Sequence, residues 1–303
     1  MTSKSDDMKL ENLKMNTLKI LFAFMLMIMI FGCGKPGVNL NSSSYDPKIT
    51  VEGFLYPGQP VSDIKLMRNF PLGNSISQSD LYLTPSGNNV NASINGTALS
   101  FDPLTQTYFN NQIMIGYGKS YTLEVYATID GVQLHTTSTT LTPLKGFSVI
   151  NKNLGNFSYG DSITINFQTS PGTVFYSFSF VPDSASPNNF IYNNNGERKK
   201  LSASDVANNL NQYKFRYGNV NNVDSYSSAE QSYSVTSRST WFYSSYTVVA
   251  YACDENMKDY LLTAPNVQEV NGNFHEPIET FQGDGIGVFG SSVTDTVRFA
   301  IVK

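Results

Sequence analysis

The sequence predicts an all-β fold in two successive parts, placed behind an N-terminal signal peptide. Runs of alternating apolar and polar residues recur along the chain, and turn-forming residues interrupt them about every ten residues. Charged residues make up 15% of the 303 residues, while Asn, Ser, Thr and Tyr are abundant. This composition is typical of sheets whose exposed faces carry hydroxyl and amide groups instead of ions.

The N-terminal signal is an apolar run that begins at Ile20 and ends at Gly32 and Cys33. It is too short for a membrane-spanning helix and follows Lys residues, so it predicts a secretory signal. Its last four residues, Ile30 to Cys33, resemble the bacterial lipobox, in which the cysteine is acylated and the chain is cut before it. We therefore expect a lipoprotein signal peptide over residues 1–32 and a lipid on Cys33. A secreted protein cut at another small residue is the alternative.

Two flanking segments add to this expectation. Acidic residues shortly after Met1 do not suit the positively charged start of a signal, so Met8 or Met15 is an alternative first residue. Residues 33–45 have no hydrophobic period and predict a flexible tether. A tether of this length spans roughly 20 Å, enough to hold a folded body just clear of a membrane.

The first predicted domain, residues 46–143, has the size and turn spacing of an immunoglobulin-like β-sandwich. Its predicted strands include Lys48 to Tyr56, Ser62 to Met67, Ser79 to Thr84 and the alternating run that starts at Tyr121. Asn95-Gly96 and Asp130-Gly131 are typical two-residue hairpin turns. Pro143 closes this domain.

The second predicted domain, residues 144–303, is also β-rich. Strands are predicted at Phe147 to Asn151, Ser162 to Phe167, Thr173 to Val181, Trp241 to Ala252 and Thr294 to Val302. One helix is predicted from Ser202 to Asn211. Ser202 is its candidate N-cap, and Asp205 stands three residues later as in a capping box.

Two glycine-rich stretches imitate nucleotide-binding motifs. GIGVFG, Gly285 to Gly290, matches G-x-G-x-x-G, but a strand-like segment follows it where the motif requires a helix and a second strand. GYGKS, Gly116 to Ser120, ends like a P-loop, but Ile113 occupies the position of the first glycine and a strand follows. We therefore expect no nucleotide and no other cofactor.

Residues for metal or acyl-transfer chemistry are scarce. The chain has two cysteines and two histidines, and His135 and His275 are far apart in sequence. With a lipid on Cys33 no intramolecular disulfide forms, and Cys253 follows a strand-like run as a small buried residue. No basic patch indicates nucleic-acid binding, since the net charge is −4. The densest acidic group, Asp254, Glu255 and nearby Asn256, offers oxygen ligands for calcium, although a solvated turn is the favoured interpretation.

Several segments together resemble the domain of unknown function 4249 family of bacterial lipoproteins. They are the lipobox and tether, KITVEGFLYPGQP, GYGKSYTLEVYA before the Asp130-Gly131 turn, TTLTP, and the closing GDGIGVFGS. The resemblance spans Tyr45 to Lys303. It implies an immunoglobulin-like domain followed by a second β-rich domain, with the closing glycines in a terminal β-hairpin. It implies no reaction, and it suggests a partner in an outer-membrane uptake system.

Two classes of function remain from the sequence. The first is a lipid-anchored binding or assembly module, in which Trp241, Tyr243 and Tyr246 stack on a sugar or a partner, unless they face the core. The second is a lipid-anchored hydrolase of the glycosidase type, which needs two carboxyl groups from any part of the chain. An exposed aromatic strip favours the first, and a deep cleft with two carboxyl groups favours the second.

The residues after Cys33 indicate on which side of the outer membrane the body of the protein lies. The resemblance implies a Gram-negative envelope, in which surface-exported lipoproteins carry acidic residues close to the lipidated cysteine. Here Gly34, Lys35 and Pro36 follow it, and the first acidic residue is Asp46. The tether therefore offers a positive charge instead of a negative one. We expect an outer-membrane anchor with the body facing the periplasm, in preference to surface display.

Overall fold

A computed structural model describes residues 45–71, 75–192, 201–214, 216–220, 223, 229–264 and 277–303. Residues Asp46–Lys303 form one compact unit. The predicted signal peptide, Cys33, most of the tether and His275 lie outside the described residues. In the part of the chain that is described, no helix is long and apolar enough to cross a membrane.

The described chain is mostly strand, which confirms the all-β prediction. The strands are β1 (Ile49–Leu55), β2 (Pro60–Arg68), β3 (Asn91–Ile94), β4 (Thr97–Ala98), β5 (Ser100–Asp102), β6 (Thr107–Met114), β7 (Ser120–Ile129), β8 (Val132–Leu141), β9 (Ser148–Val149), β10 (Asn153–Ser158), β11 (Ser162–Gln168), β12 (Phe175–Pro182), β13 (Arg216–Val220), β14 (Glu230–Thr236), β15 (Ser245–Cys253), β16 (Phe281–Gly283) and β17 (Gly285–Val302). The helices are α1 (Pro85–Asn88), α2 (Ala203–Asn208), α3 (Leu210–Lys214) and α4 (Glu255–Thr263).

The first sandwich packs two sheets around one apolar core. One layer contains β5, β6, β2, β1 and the first half of β17, and the other has the order β16-β8-β7-β3-β4. Alternate residues of β1 and β7, such as Val51, Leu123 and Val125, point into this core and are fully buried. The strict alternation of burial along β7 is the pattern that predicted this strand.

The second sandwich has its own core, which is rich in aromatic rings. One layer contains β13, β12, β15, the second half of β17 and β10, and the other has the order β14-β11-β9. Phe167, Tyr176 and Phe178 lie between the layers, with centroids of neighbouring rings 4.9 to 5.5 Å apart. Edge and tilted ring contacts of this kind add to the free energy gained by burying the rings.

Strand β17 belongs to both sandwiches. Its first seven residues pair in parallel with β1, and residues Ser292 to Ala300 pair antiparallel with β15. Phe289, which falls in the predicted second domain, is fully buried in the core of the first sandwich. The C-terminal strand of the chain therefore completes the sheet that the N-terminal strand of the body begins.

The two predicted hairpin turns are confirmed. Asp130 and Gly131 have φ values of 51° and 80°, and Asn95 and Gly96 have φ values of 49° and 77°. Positive φ at both central residues is the requirement of a type I′ turn, whose twist matches the flanking strands. The Asp130-Gly131 turn sets the register of β7 and β8 over all ten residue pairs.

The prediction of a strand from Ser79 to Thr84 is wrong. Gln78–Asp80 forms a 3-10 turn, and Tyr82 makes a single bridge to Met67. The local reason is that the Asp80 carboxylate accepts from the backbone N–H of Ser77, which closes the turn. Downstream, Thr84 caps α1 and Pro85 begins it, so few residues are left to pair.

The predicted helix start at Ser202 is confirmed. The Ser202 hydroxyl accepts from the Asp205 backbone N–H, and the Asp205 carboxylate accepts from the Ser202 backbone N–H. This is a complete capping box. The predicted span breaks at Asn209 into two short helices, α2 and α3, in keeping with the low helix propensity of asparagine.

The glycine stretch Gly285 to Gly290 is part of one continuous strand, so the expected terminal hairpin is wrong. The expected close backbone contact is present. Gly287 has φ of 105°, and a Cβ atom there would lie 2.2 Å from the Val51 carbonyl oxygen on β1. A side chain at this position would push β1 and β17 apart.

We predict that Gly287→Ala lowers the free energy of unfolding by about 3 kcal/mol, because it adds a backbone clash to the strain of positive φ. Gly58→Ala is the matched control. Gly58 has φ of 87°, but nothing lies within 4 Å of the added Cβ, so about 1 kcal/mol is expected. Urea denaturation of both variants measures the difference, and equal losses would contradict the proposed clash with Val51.

Candidate functional site

A cleft of about 440 Å³ lies where the two sandwiches meet. The end of β8, the connection that follows it, the turn before β12 and the first residues of α4 form its walls. Thr139, Leu141, Leu144, Glu255 and Asn256 are among its lining residues. Mixed apolar and polar walls at the junction of two packed units are typical of ligand sites.

The cleft keeps its shape because Asp254 anchors α4. Asp254 is the N-cap residue of this helix, and its Oδ1 accepts from the Met257 backbone N–H at 3.0 Å. The same oxygen accepts from the Ser291 backbone N–H of β17 at 3.0 Å. The Thr140 hydroxyl of β8 donates to Oδ2 and lies 2.9 Å from the Ser291 hydroxyl. One buried carboxylate thus joins a helix and two strands.

Burial and hydrogen bonding shift the pKa of the Asp254 carboxyl in opposite directions. Loss of solvent raises the pKa of the Asp254 carboxyl, while donation from the Ser291, Thr140 and Met257 groups acts to lower it. Burial also raises the pKa of the neighbouring Cys253 thiol well above its usual value. Cys253 is therefore a protonated, buried residue, as the sequence predicted, because a thiol must ionise to act as a nucleophile.

The three candidate calcium ligands, Asp254, Glu255 and Asn256, have different environments in the structure. Asp254 is buried, so the expectation of a solvated turn is wrong for this residue. Asn256 donates through Nδ2 to the Thr139 and Phe289 carbonyl oxygens, each at 2.8 Å. Glu255 is exposed and pairs with Lys258. Within the described part of the chain, no group of three His, Cys, Asp or Glu side chains is placed to hold a metal ion.

The rim of the cleft carries two exposed leucines that the sequence did not single out. Leu141 is 62% exposed and Leu144 is 49% exposed. The available signal was the position of Leu141, an apolar residue on the outward face of β8 after Thr137 and Thr139. Because Leu141 and Leu144 both line the cleft, they form one exposed apolar patch, which is more informative than a single exposed leucine.

The GYGKS stretch lies beside this rim and forms a turn. Gly118 has φ of 59°, and a Cβ there would lie 2.5 Å from Leu144 Cδ2. The Lys119 backbone N–H donates to the Thr142 hydroxyl, which donates to the Gly116 carbonyl oxygen at 2.8 Å. These bonds fix the turn between β6 and β7, and β7 follows where a P-loop would have a helix.

The three aromatic candidates do not form one exposed strip. Tyr246 is buried, its ring stacks on Phe299, and its hydroxyl bonds to the Phe242 backbone. Trp241 is half-buried against Phe190 and lies outside the cleft. Tyr243 is also half-buried. Tyr246 is thus a core residue, which corrects its place among the binding candidates.

Comparison with known proteins places the chain in a family. The family model described as "Domain of unknown function (DUF4249)" matches residues 37–298. The chain belongs to the DUF4249 family. This confirms the resemblance found in the sequence. No curated protein matches the chain.

Solved structures similar to this DUF4249 protein include fibronectin(III)-like modules, titin domains and an Ig receptor ectodomain. Fibronectin(III)-like modules of Clostridium thermocellum CbhA are 12% identical, with 85% of this chain and 94% of that chain covered and a TM-score of 0.24. Titin domains z1z2 in complex with telethonin are 10% identical, with 85% and 99% covered and a TM-score of 0.21. The teleost fish polymeric Ig receptor ectodomain is 12% identical, with 62% and 96% covered and a TM-score of 0.23. The sheets and cores of the DUF4249 chain itself, and not these low scores, establish its β-sandwiches.

We predict that Asp254→Ala destabilises this DUF4249 protein by about 3 kcal/mol, because it removes an N-cap and leaves buried donors without a partner. Ser202→Ala is the matched control, since it removes an exposed N-cap from α2 and is expected to cost about 1 kcal/mol. Thermal and urea unfolding of both variants measure these costs. A loss for Asp254→Ala no larger than for Ser202→Ala would show that the contacts to β8 and β17 contribute nothing.

Proposed function

We propose that this protein is a lipid-anchored envelope protein whose β-sandwich body acts as a binding module, with the cleft beside α4 as its binding site. The observation that carries the proposal is the position of the cleft at the junction of two cores. Its volume of about 440 Å³ is within the range of ligand sites. Its floor is held by the buried Asp254 contacts, so little ordering is needed when a partner binds.

The lining indicates the chemistry of the partner. Leu141 and Leu144 offer apolar contact at the rim, and Thr139 and Glu255 offer polar groups. Among the described lining residues there is no Lys, Arg or His, so the cleft does not suit phosphate or another strong anion. A segment of an envelope protein with an apolar side chain and neutral or basic neighbours fits best. A component of an outer-membrane uptake system is the partner that we propose.

The hydrolase alternative receives no comparable support. A glycosidase needs two carboxyl groups directed at one substrate bond. In the cleft, both oxygens of Asp254 are engaged by Met257, Ser291 and Thr140, and Glu255 pairs with Lys258. The binding module is therefore the function that the cleft supports best.

A photo-reactive residue at position 144 is expected to form a discrete cross-linked product with one envelope protein in intact cells. The reason is that Leu144 stands at the rim of the proposed binding site. The matched control is the same residue at position 104, because Leu104 is almost fully exposed in the turn between β5 and β6. Gel analysis followed by mass spectrometry identifies the product. The same products from both positions would refute a specific site at the cleft.

The lipid anchor is tested by Cys33→Ala. We expect this change to abolish metabolic labelling with a fatty acid and to move the protein from the membrane fraction to the soluble fraction. Cys253→Ala is the control and is expected to keep the label, because Cys253 is buried in the folded body. Labelled, membrane-bound Cys33→Ala protein would overturn the lipoprotein proposal.

The side of the membrane is tested by protease. With an outer-membrane anchor and a periplasmic body, protease added to intact cells leaves the protein whole and degrades it after the outer membrane is permeabilised. The proposal rests on the absence of acidic residues directly after Cys33, where Gly34 and Lys35 stand. Cleavage in intact cells would replace it with surface display.

A further inference from the structure

The outward face of β3, β7 and β8 is polar and carries few charged side chains. We call it the outer face. Its residues are Asn91 and Ser93 on β3, Thr122, Glu124 and Tyr126 on β7, and Gln133, His135, Thr137 and Thr139 on β8. The five strands of this sheet contain no Lys or Arg, and their single carboxylate is Glu124. Hydroxyl and amide groups therefore dominate the outer face.

Three side chains at the centre of the outer face hold one another in place. The rings of Tyr126 and His135 stack with centroids 4.2 Å apart and an interplanar angle of 17°. The Tyr126 hydroxyl donates to Glu124 Oε1 at 3.0 Å, and His135 Nε2 lies 3.1 Å from the same oxygen. The rings stack because the strand register places Tyr126 of β7 directly opposite His135 of β8.

This cluster is exposed in spite of its internal contacts. Tyr126 is 47% exposed, and the side chains of His135 and Glu124 are 46% and 40% exposed. The described contacts of the Glu124 carboxylate use Oε1, which leaves Oε2 as an acceptor. An immobilised aromatic ring beside a carboxylate and a row of hydroxyls loses little side-chain entropy when a ligand binds.

We propose that the outer face binds an uncharged glycan. One sugar packs the C–H face of its ring against the electron-rich face of the Tyr126 ring that is turned away from His135. Glu124 accepts a hydrogen bond from a sugar hydroxyl, and His135 holds the Tyr126 ring in position. Along β8, the outward row of His135, Thr137 and Thr139 continues for about 13 Å at the usual rise of a strand. An extended chain of several sugars therefore has hydroxyl partners beyond the first ring.

The charges of the outer face favour a neutral glycan over anionic ligands. Nucleic acids and acidic polysaccharides need Lys or Arg to neutralise them, and the strands of the outer face have none. A neutral polyol needs donors and acceptors without net charge, which the Thr, Ser and Asn side chains supply. The outer face meets the cleft only at Thr139, and the three central residues Glu124, Tyr126 and His135 are not among the cleft-lining residues, so this proposal does not rest on the cleft.

The test is native gel electrophoresis of the detergent-solubilised full chain through gels that contain a polysaccharide. Galactomannan, xyloglucan and starch are the neutral probes, and alginate and polygalacturonate are the anionic ones. We expect at least one neutral polysaccharide to retard the protein and the anionic ones to leave its mobility unchanged. Tyr126→Ala is expected to weaken binding about tenfold and Tyr126→Phe by less than about threefold, since the ring is retained.

Three controls keep the outcome decisive. Tyr217→Ala removes an exposed tyrosine from β13 and is expected to bind like the original protein. Glu124→Gln keeps the size of the side chain, and an intermediate loss of binding is expected. Leu144→Asp alters the cleft and leaves glycan binding unchanged, which separates this proposal from the proposed function. Failure of every neutral polysaccharide to bind, equal binding by Tyr126→Ala, or equal retardation by alginate would overturn the proposal.

Discussion

The parallel pairing of β1 with β17 is the constraint on which the rest of the structure depends. It runs over seven residue pairs, from Ile49 with Gly285 to Leu55 with Ser291. It joins residues far apart in the sequence, since Ile49 and its partner Gly285 are 236 positions apart. Contacts this distant in sequence slow folding, because chain entropy is lost before they form. Gly287 permits the close approach, since no side chain stands between the two backbones.

The buried Asp254 network follows from the same strand. Ser291 of β17 and Thr140 of β8 approach each other because β17 crosses from one sandwich into the other at this point. Asp254 bonds to both and begins α4. A buried carboxylate is costly unless hydrogen bonds satisfy it, and here both oxygens are engaged. The chain turns from β15 into α4 at Asp254. The hydrogen bonds of Asp254 hold the start of α4 at this junction, where it forms one wall of the cleft.

The two proposed binding surfaces use different parts of the first sandwich. The cleft combines apolar rim residues, Leu141 and Leu144, with polar groups of α4. The outer face presents Tyr126 and hydroxyl side chains on the outward side of a sheet. They share β8, whose inward residues pack in the body and whose outward residues face solvent. Because successive side chains of β8 point to opposite faces of the sheet, this one strand contributes residues to the core and to both proposed binding surfaces.

The sequence by itself determined the all-β class, the Asn95-Gly96 and Asp130-Gly131 hairpins, the helix start at Ser202 and the family. Each of these depends on residues within a few positions of one another, and local propensity decides them. It also indicated that the residues after GIGVFG form a strand, which the structure confirms. The sequence did not reveal β6 or α4, because the Asn-rich run of β6 and the acidic start of α4 have weak local preferences.

Tertiary structure alone decided where the functional surfaces lie. Thr140 and Asp254 are 114 positions apart, and no local pattern predicts their contact. The burial of Tyr246 and the exposure of Tyr126 likewise depend on which face of each strand meets a second layer. The two tyrosines stand in similar alternating runs, so the sequence around them does not distinguish them. The physical reason is that burial is set by the packing of distant sheets, whereas alternation sets only which residues share a face.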